Sequence, residues 1–265
     1  MENKKDDFYI GYIEDVSLKT KATIKKFVLI GLITLLLIAI TFAITQNNFK
    51  NSTFELTTNS KIMGVYHEMP YPMLKVKTAE NTFKNILLIG FGKYSANPFL
   101  KKIRSQTPEL SGSMLSIEGN LIYYNGKTLL QITNDEKITL VEKTNLQRLP
   151  QLKTLVSDME LKGEIIDPKC YFGVMKPGKG KIHRSCAVLC ISGGIPPVLA
   201  TTDRNNISEY YLITDNAGKP IHKDILPYVG KPSLLKGKVV QLEDWYQLRI
   251  DLKNIKDLNQ PSKIY

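Results

Sequence analysis

The chain has 265 residues, of which 43% are apolar and 23% charged. That balance excludes a disordered protein and leaves room for one large domain or two small ones with real cores. The formal charge of +11 admits anionic lipid, nucleic acid or an acidic protein as partners, and where the charge sits decides among them.

The first predicted element is a transmembrane helix over residues 27–45, FVLIGLITLLLIAITFAIT, which contains no charge and no proline. As a helix it reaches about 28 Å, the thickness of a bilayer core. The run is longer than the apolar part of a signal peptide, and no small-x-small cleavage site follows in QNNFKNSTF, so the reading is a retained single-span anchor. Lys19, Lys21, Lys25 and Lys26 crowd its near side, with Lys4 and Lys5 further back, whereas only Lys50 follows before Lys61. The positive-inside rule predicts a cytoplasmic tail, residues 1–26, and an extracytoplasmic remainder in the periplasm of an inner (cytoplasmic) membrane. Beyond the anchor lie 30 basic and 20 acidic residues, a charge of +10 that is expected to face lipid headgroups or an acidic partner rather than nucleic acid.

Past the anchor, short apolar or alternating runs are separated by Gly, Pro and Asn, the pattern of an all-β protein. Strands are predicted at 61–67, 73–78, 85–91, 112–126 and 127–133, the last two joined through Asn125-Gly126, a strong hairpin signal. A second set is predicted at 161–167, 197–203, 208–215, 234–245 and 246–252. The two sets echo each other in order. Lys61-Ile62-Met63-Gly64-Val65 answers Leu161-Lys162-Gly163-Glu164-Ile165, and Ile86-Leu87-Leu88-Ile89 answers Tyr210-Tyr211-Leu212-Ile213. Such self-similarity predicts a duplicated small domain. Five strands, one of them bent, with a closing hairpin outline an OB-like barrel. The expected organisation is therefore two tandem OB-like β-barrels, at 53–145 and 158–256. A single sandwich spanning both halves is the competing arrangement.

The echo has one large gap. Between first and second strand the first half has only HEMPYP, whereas the second inserts residues 168–197, PKCYFGVMKPGKGKIHRSCAVLCISGGIPP. Helical spacing runs over 181–191, stopped by Gly193-Gly194 and Pro196-Pro197. His183, Cys186 and Cys190 then fall at i, i+3 and i+7, on one stripe. Cys170 precedes the glycine-rich KPGKGK, which can fold the chain back toward that stripe. Three readings stand open. Cys170, His183, Cys186 and Cys190 form a Cys₃His site for zinc or copper(I), with Met175 as an additional thioether ligand for copper. Two of Cys170, Cys186 and Cys190 form a disulfide that staples the insertion, most easily through Cys170, leaving one free thiol. Or the cysteines are small core hydrophobes.

The run from GEIIDPKCYFGVMKPG through HRSCAVLCISGGIPP resembles the signature of a family of uncharacterised, membrane-anchored bacterial proteins, as do DDFYIGY before the anchor and PYPMLKV. The resemblance covers nearly the whole chain and implies that the cluster is a family trait, but it carries over no activity. In architecture alone, an anchor followed by an extracytoplasmic OB barrel is similar to the haem chaperone of cytochrome c maturation, whose histidine and tyrosine motif is not recognisable here.

Elsewhere the sequence offers little catalytic chemistry. GFGKYS (90–95) and KPGKGK (176–181) read as turns rather than phosphate loops. His67 and His222 have no neighbouring signature, and Glu164, Asp167 and Asp203 read as exposed strand-end carboxylates. With no C-x-x-C, a thiol oxidoreductase is disfavoured. The function expected is thus a membrane-anchored metal-binding or redox-associated accessory or assembly subunit, with a membrane-protein or electron-transfer partner. The alternative is a non-catalytic interaction module with a stapled insertion.

Overall fold

The computed structural model describes residues 18–45, 52–79, 82–141, 153–203 and 207–258. Lys4, Lys5, the segment 6–12, Lys50 and the stretch 142–152 between the expected domains lie outside the described residues.

The first unit contains helix α1, Leu18–Thr45, 28 residues long and with no buried residue. It begins earlier than the apolar run and includes the lysines at 19, 21, 25 and 26. From Phe27 onward its apolar side chains point in every direction, the pattern of a helix surrounded by lipid rather than packed on one face. Its threonines satisfy their own hydroxyls: Thr34 Oγ1 donates to the Ile30 carbonyl at 2.9 Å and Thr41 Oγ1 to that of Leu37 at 2.8 Å. This removes the polar groups that hydrocarbon would penalise. The helix is long and apolar enough to cross a membrane.

The second unit holds two five-stranded closed barrels in tandem. The first is built from β2 (Ser60–His67), β3 (Met73–Ala79), β4 (Thr82–Gly90), β5 (Met114–Tyr124) and β6 (Lys127–Ile132). Short strands β1 (Ser52–Phe54) and β7 (Ile138–Leu140) add to β5. The second barrel is built from β8 (Lys153–Ile166), β9 (Val198–Thr202), β10 (Ser208–Asp215), β11 (Pro232–Leu242) and β12 (Trp245–Asp257). Each barrel has the same order, first–second–third–fifth–fourth and back to the first. In each the third and fifth strands run parallel, β4 with β6 and β10 with β12. The internal echo is therefore a repeat of topology, and two OB-like barrels form where a single sandwich was the competitor.

Both barrels use the same device to close. In the fourth strand a Cβ on Gly119 would stand 2.3 Å from the Gln131 carbonyl oxygen, and one on Gly237 2.1 Å from that of Arg249. Only glycine lets the neighbouring backbone approach so closely at the bend.

One helix was not expected. α2, Asn97–Gln106, lies between the third and fourth strands of the first barrel and buries Leu100 and Ile103 beneath it. Asn97-Pro98 at its start and the i, i+3 apolar pair were its only sequence signal.

The barrels share a core. Tyr71, Met73, Leu87, Ile89, Ile122 and Leu129 of the first pack with Ile166, Phe172, Val198, Tyr210, Leu242 and Trp245 of the second and its insertion. Polar bonds lock the junction: Trp245 Nε1 donates to the Asn85 carbonyl at 3.0 Å, and Asn85 Nδ2 donates to that of Leu242 at 3.0 Å. The buried ion pair Lys75–Glu243, at 2.6 Å, joins them again.

Candidate metal centre

The insertion between β8 and β9 folds as two helical pieces. Asp167 ends the strand and caps the first: its Oδ1 accepts from Lys169 N at 2.9 Å, and Pro168 occupies the position where no amide hydrogen is needed. The turn continues as a π-helix over Cys170–Val174. The reversal expected at KPGKGK follows, with Gly178 so close to Tyr171 that a Cβ would meet its Cα at 2.6 Å. Helix α3, Gly180–Ser192, then returns across the site and buries His183, Ala187, Cys190 and Ile191. Glu164 Oε1 accepts from Gly180 N, tying the helix start to the end of β8.

The reversal brings the sulfur of Cys170 onto the α3 stripe. One donor atom each from Cys170, His183 and Cys186 lie within 4.8 Å of one another. Cys190 joins Cys170 in a second set, also within 4.8 Å, whose third member is Asp167. The five donors thus fall into two triads that share one sulfur. Thiolates on a common tetrahedral ion stand about 3.8 Å apart, so small side-chain movements close either triad on a metal. Met175, the additional ligand considered for copper, donates its amide to the Cys170 carbonyl at 3.0 Å and leaves its side chain half exposed.

Asp167 was expected as an exposed strand-end carboxylate. Instead it is fully buried, because the insertion folds over it. Its Oδ2 is buried with no hydrogen-bond partner among the described residues, and so is His183 Nε2. A carboxylate oxygen and an imidazole nitrogen thus lie without partners beside three sulfurs, a donor set that a cation would complete.

The electrostatics agree. The Cys170 thiol is pushed far up by the neighbouring Cys190 sulfur, by burial and by the Asp167 carboxylate. Burial and Cys190 also push Cys186 upward, against the pull of Lys93. Without an added positive charge the Cys170 and Cys186 thiols are held toward the protonated form; a bound cation displaces those protons. Lys169 is the one buried ammonium beside the cluster among the described residues. Its Nζ donates to the carbonyls of Gly90 at 2.9 Å and Gly92 at 2.7 Å, in the turn that leaves β4. Burial lowers its pKa while Asp167, Cys190 and Cys170 oppose that fall. GFGKYS is thus a turn that receives a lysine from the other barrel.

Below the cluster the aromatic side chains interlock. The Phe172 and Tyr210 ring centroids are 4.8 Å apart at 78°, and Phe172 stacks on Tyr124 at 5.5 Å. These contacts hold the π-helical turn, and so the sulfur of Cys170, in place. All three cysteines are free thiols in this arrangement.

Fold and site together define a class: a tandem OB-like barrel protein carrying a membrane-spanning-length helix and a buried sulfur–imidazole–carboxylate cluster able to hold a metal ion. No protein-family model matches the chain, and no curated protein matches it.

Proposed function

We propose that this protein is a single-pass, membrane-anchored accessory or assembly subunit that binds a thiophilic metal ion, zinc or copper(I), outside the cytoplasm. Cys170, His183, Cys186 and Cys190 are the ligands in this reading: the first three already converge, and Cys190, which meets Cys170, completes the set by a side-chain movement. The observation that carries it is the convergence of Cys170 with His183 and Cys186 within 4.8 Å beside an unsatisfied buried imidazole nitrogen. Three sulfurs and a nitrogen suit these two ions better than calcium or magnesium, which take oxygen.

The orientation in this reading, tail inside and barrels in the periplasm, is supported by the lysines before the apolar run. A partner is expected because the site has a half-open face. Cys186 is only half buried, and Ile182 and Leu189 on the same helix are exposed. The likeness to membrane-anchored bacterial proteins supports the anchored reading and adds no chemistry.

The test is elemental analysis of the full chain purified in detergent, combined with a free-thiol count. Metal near one equivalent or more, reduced by one equivalent in His183→Ala, supports the proposal. A metal-free protein lighter by two hydrogens, with one free thiol, supports the alternative of a stapled interaction module. The closeness of Cys170 to both other sulfurs is what keeps that alternative open.

A further inference from the structure

We propose that the cluster holds two metal ions bridged by the Cys170 thiolate: an outer ion on Cys170, His183 and Cys186, and an inner ion on Asp167, Cys170 and Cys190. The inference rests on the metal-binding reading above and adds a ligand, Asp167, and a second position.

Three observations lead there. First, the donors form two triads rather than one ring of four, and the only member common to both is Cys170. A thiolate has lone pairs enough to bridge two ions, whereas an imidazole nitrogen has only one to give. Second, each triad contains a residue with its own unsatisfied buried acceptor, His183 in one and Asp167 in the other. An ion in the outer triad alone leaves the Asp167 carboxylate oxygen without a partner; an ion in the inner triad alone leaves the imidazole in the same state. Two ions satisfy both. Third, the positions differ in access. Asp167, Cys170 and Cys190 are all buried, whereas the outer set includes the half-exposed Cys186. The outer position is the point of entry and the inner one the retained position.

The expected ligands are d¹⁰ ions that accept sulfur, nitrogen and a single carboxylate, which describes zinc and its spectroscopic substitute cadmium. Each thiol that becomes a ligand gives its proton to solvent, so loading releases acid.

The experiment is titration of the reduced, metal-free full chain in detergent with cadmium-113, read by bound stoichiometry and by cadmium NMR. Two equivalents and two resonances are expected for the wild type. Asp167→Asn removes the inner ligand but keeps a side-chain oxygen for the cap on Lys169 N, so the fold survives. It should bind one equivalent and lose one resonance. His183→Ala should also bind one and lose the other resonance. Cys170→Ser, which removes the bridge, should weaken binding of both at least 100-fold. If Asp167→Asn melts early, Cys190→Ala makes the same test, and the wild-type stoichiometry decides by itself. One equivalent and one resonance in the wild type, unchanged by Asp167→Asn, overturn the two-ion inference and leave the single-ion reading standing. No cadmium bound by the reduced wild type overturns both.

Discussion

Lys169 donates from Nζ to the carbonyl oxygen of Gly92 at 2.7 Å, across 77 residues of sequence. This bond, and its companion to Gly90, anchors the insertion of the second barrel to the first and sets a positive charge beside the sulfur cluster.

Replacing that lysine by a neutral residue of similar volume tests the anchor. Lys169→Met leaves two carbonyl groups short of a donor, and the expected loss is about 1–3 kcal/mol of unfolding free energy in a denaturant titration. The same variant should bind metal more weakly at neutral pH only if the insertion moves. Unchanged stability would show that the junction does not depend on this contact.

Gly193, just past the end of α3, meets the first barrel still more closely. A Cβ there would lie 1.9 Å from the Lys93 carbonyl oxygen, and Ser95 N donates to the Gly193 carbonyl at 3.1 Å. Gly193→Ala must push the two backbones apart, at an expected cost of about 1–3 kcal/mol. Thermal unfolding of the variant gives the measurement, and a wild-type melting point would refute the close approach.

Tyr71 crosses the junction from the other side. Its hydroxyl donates to the Ile213 carbonyl at 2.6 Å and accepts from Ile221 N at 3.3 Å, all in buried surroundings. Tyr71→Phe keeps the ring but strands both backbone groups, so a loss of about 1–3 kcal/mol is expected. Tyr123→Phe, at a more exposed position, should change stability by no more than about 0.5 kcal/mol.

His222 supplies a pH dependence. It packs edge-on to Tyr71, with ring centroids 5.7 Å apart, and burial lowers its pKa below the ordinary imidazole value although a hydrogen bond with the Ile195 backbone works the other way. The unfolded chain therefore takes up the proton first as pH falls. Stability should decline on acidification below about 6.5 and recover as pH rises through that window. In His222→Phe this part of the slope should vanish, as read from denaturant midpoints between about pH 5.5 and about pH 7.5 (about one unit on either side of the imidazole midpoint). An unchanged slope would assign it to other groups.

Much of the architecture is local in origin, and so was legible. Residues 27–45 declare a membrane-length helix because every side chain is compatible with hydrocarbon. The short apolar runs in NILLIGF and SEYYLITD, with the Asn125-Gly126 turn, show strands because a strand covered on both faces reads as a brief unbroken apolar run bounded by turn residues. The internal echo showed the duplication, since matched strands in matched order can close the same barrel twice. His183, Cys186 and Cys190 stood out through helical spacing alone.

What remained hidden was everything that depends on two distant segments meeting. Asp167 reads in sequence as an exposed carboxylate at a strand end; only the insertion folding over it removes its water and aims it at Cys170. No periodicity reveals that Cys190 shares a set with Asp167 and Cys170 rather than with His183. Nor does any reveal that Lys169 reaches a turn of the other barrel. Residue type and spacing thus determined the membrane-length helix, the repeated barrels and the thiol-rich helix, because those follow from short-range patterns. The folding of the insertion over the end of β8 decided which donors meet and which lose their solvent, and the packing of one barrel against the other set the Lys169 charge beside them, because burial and tertiary contact are properties of the assembled core alone.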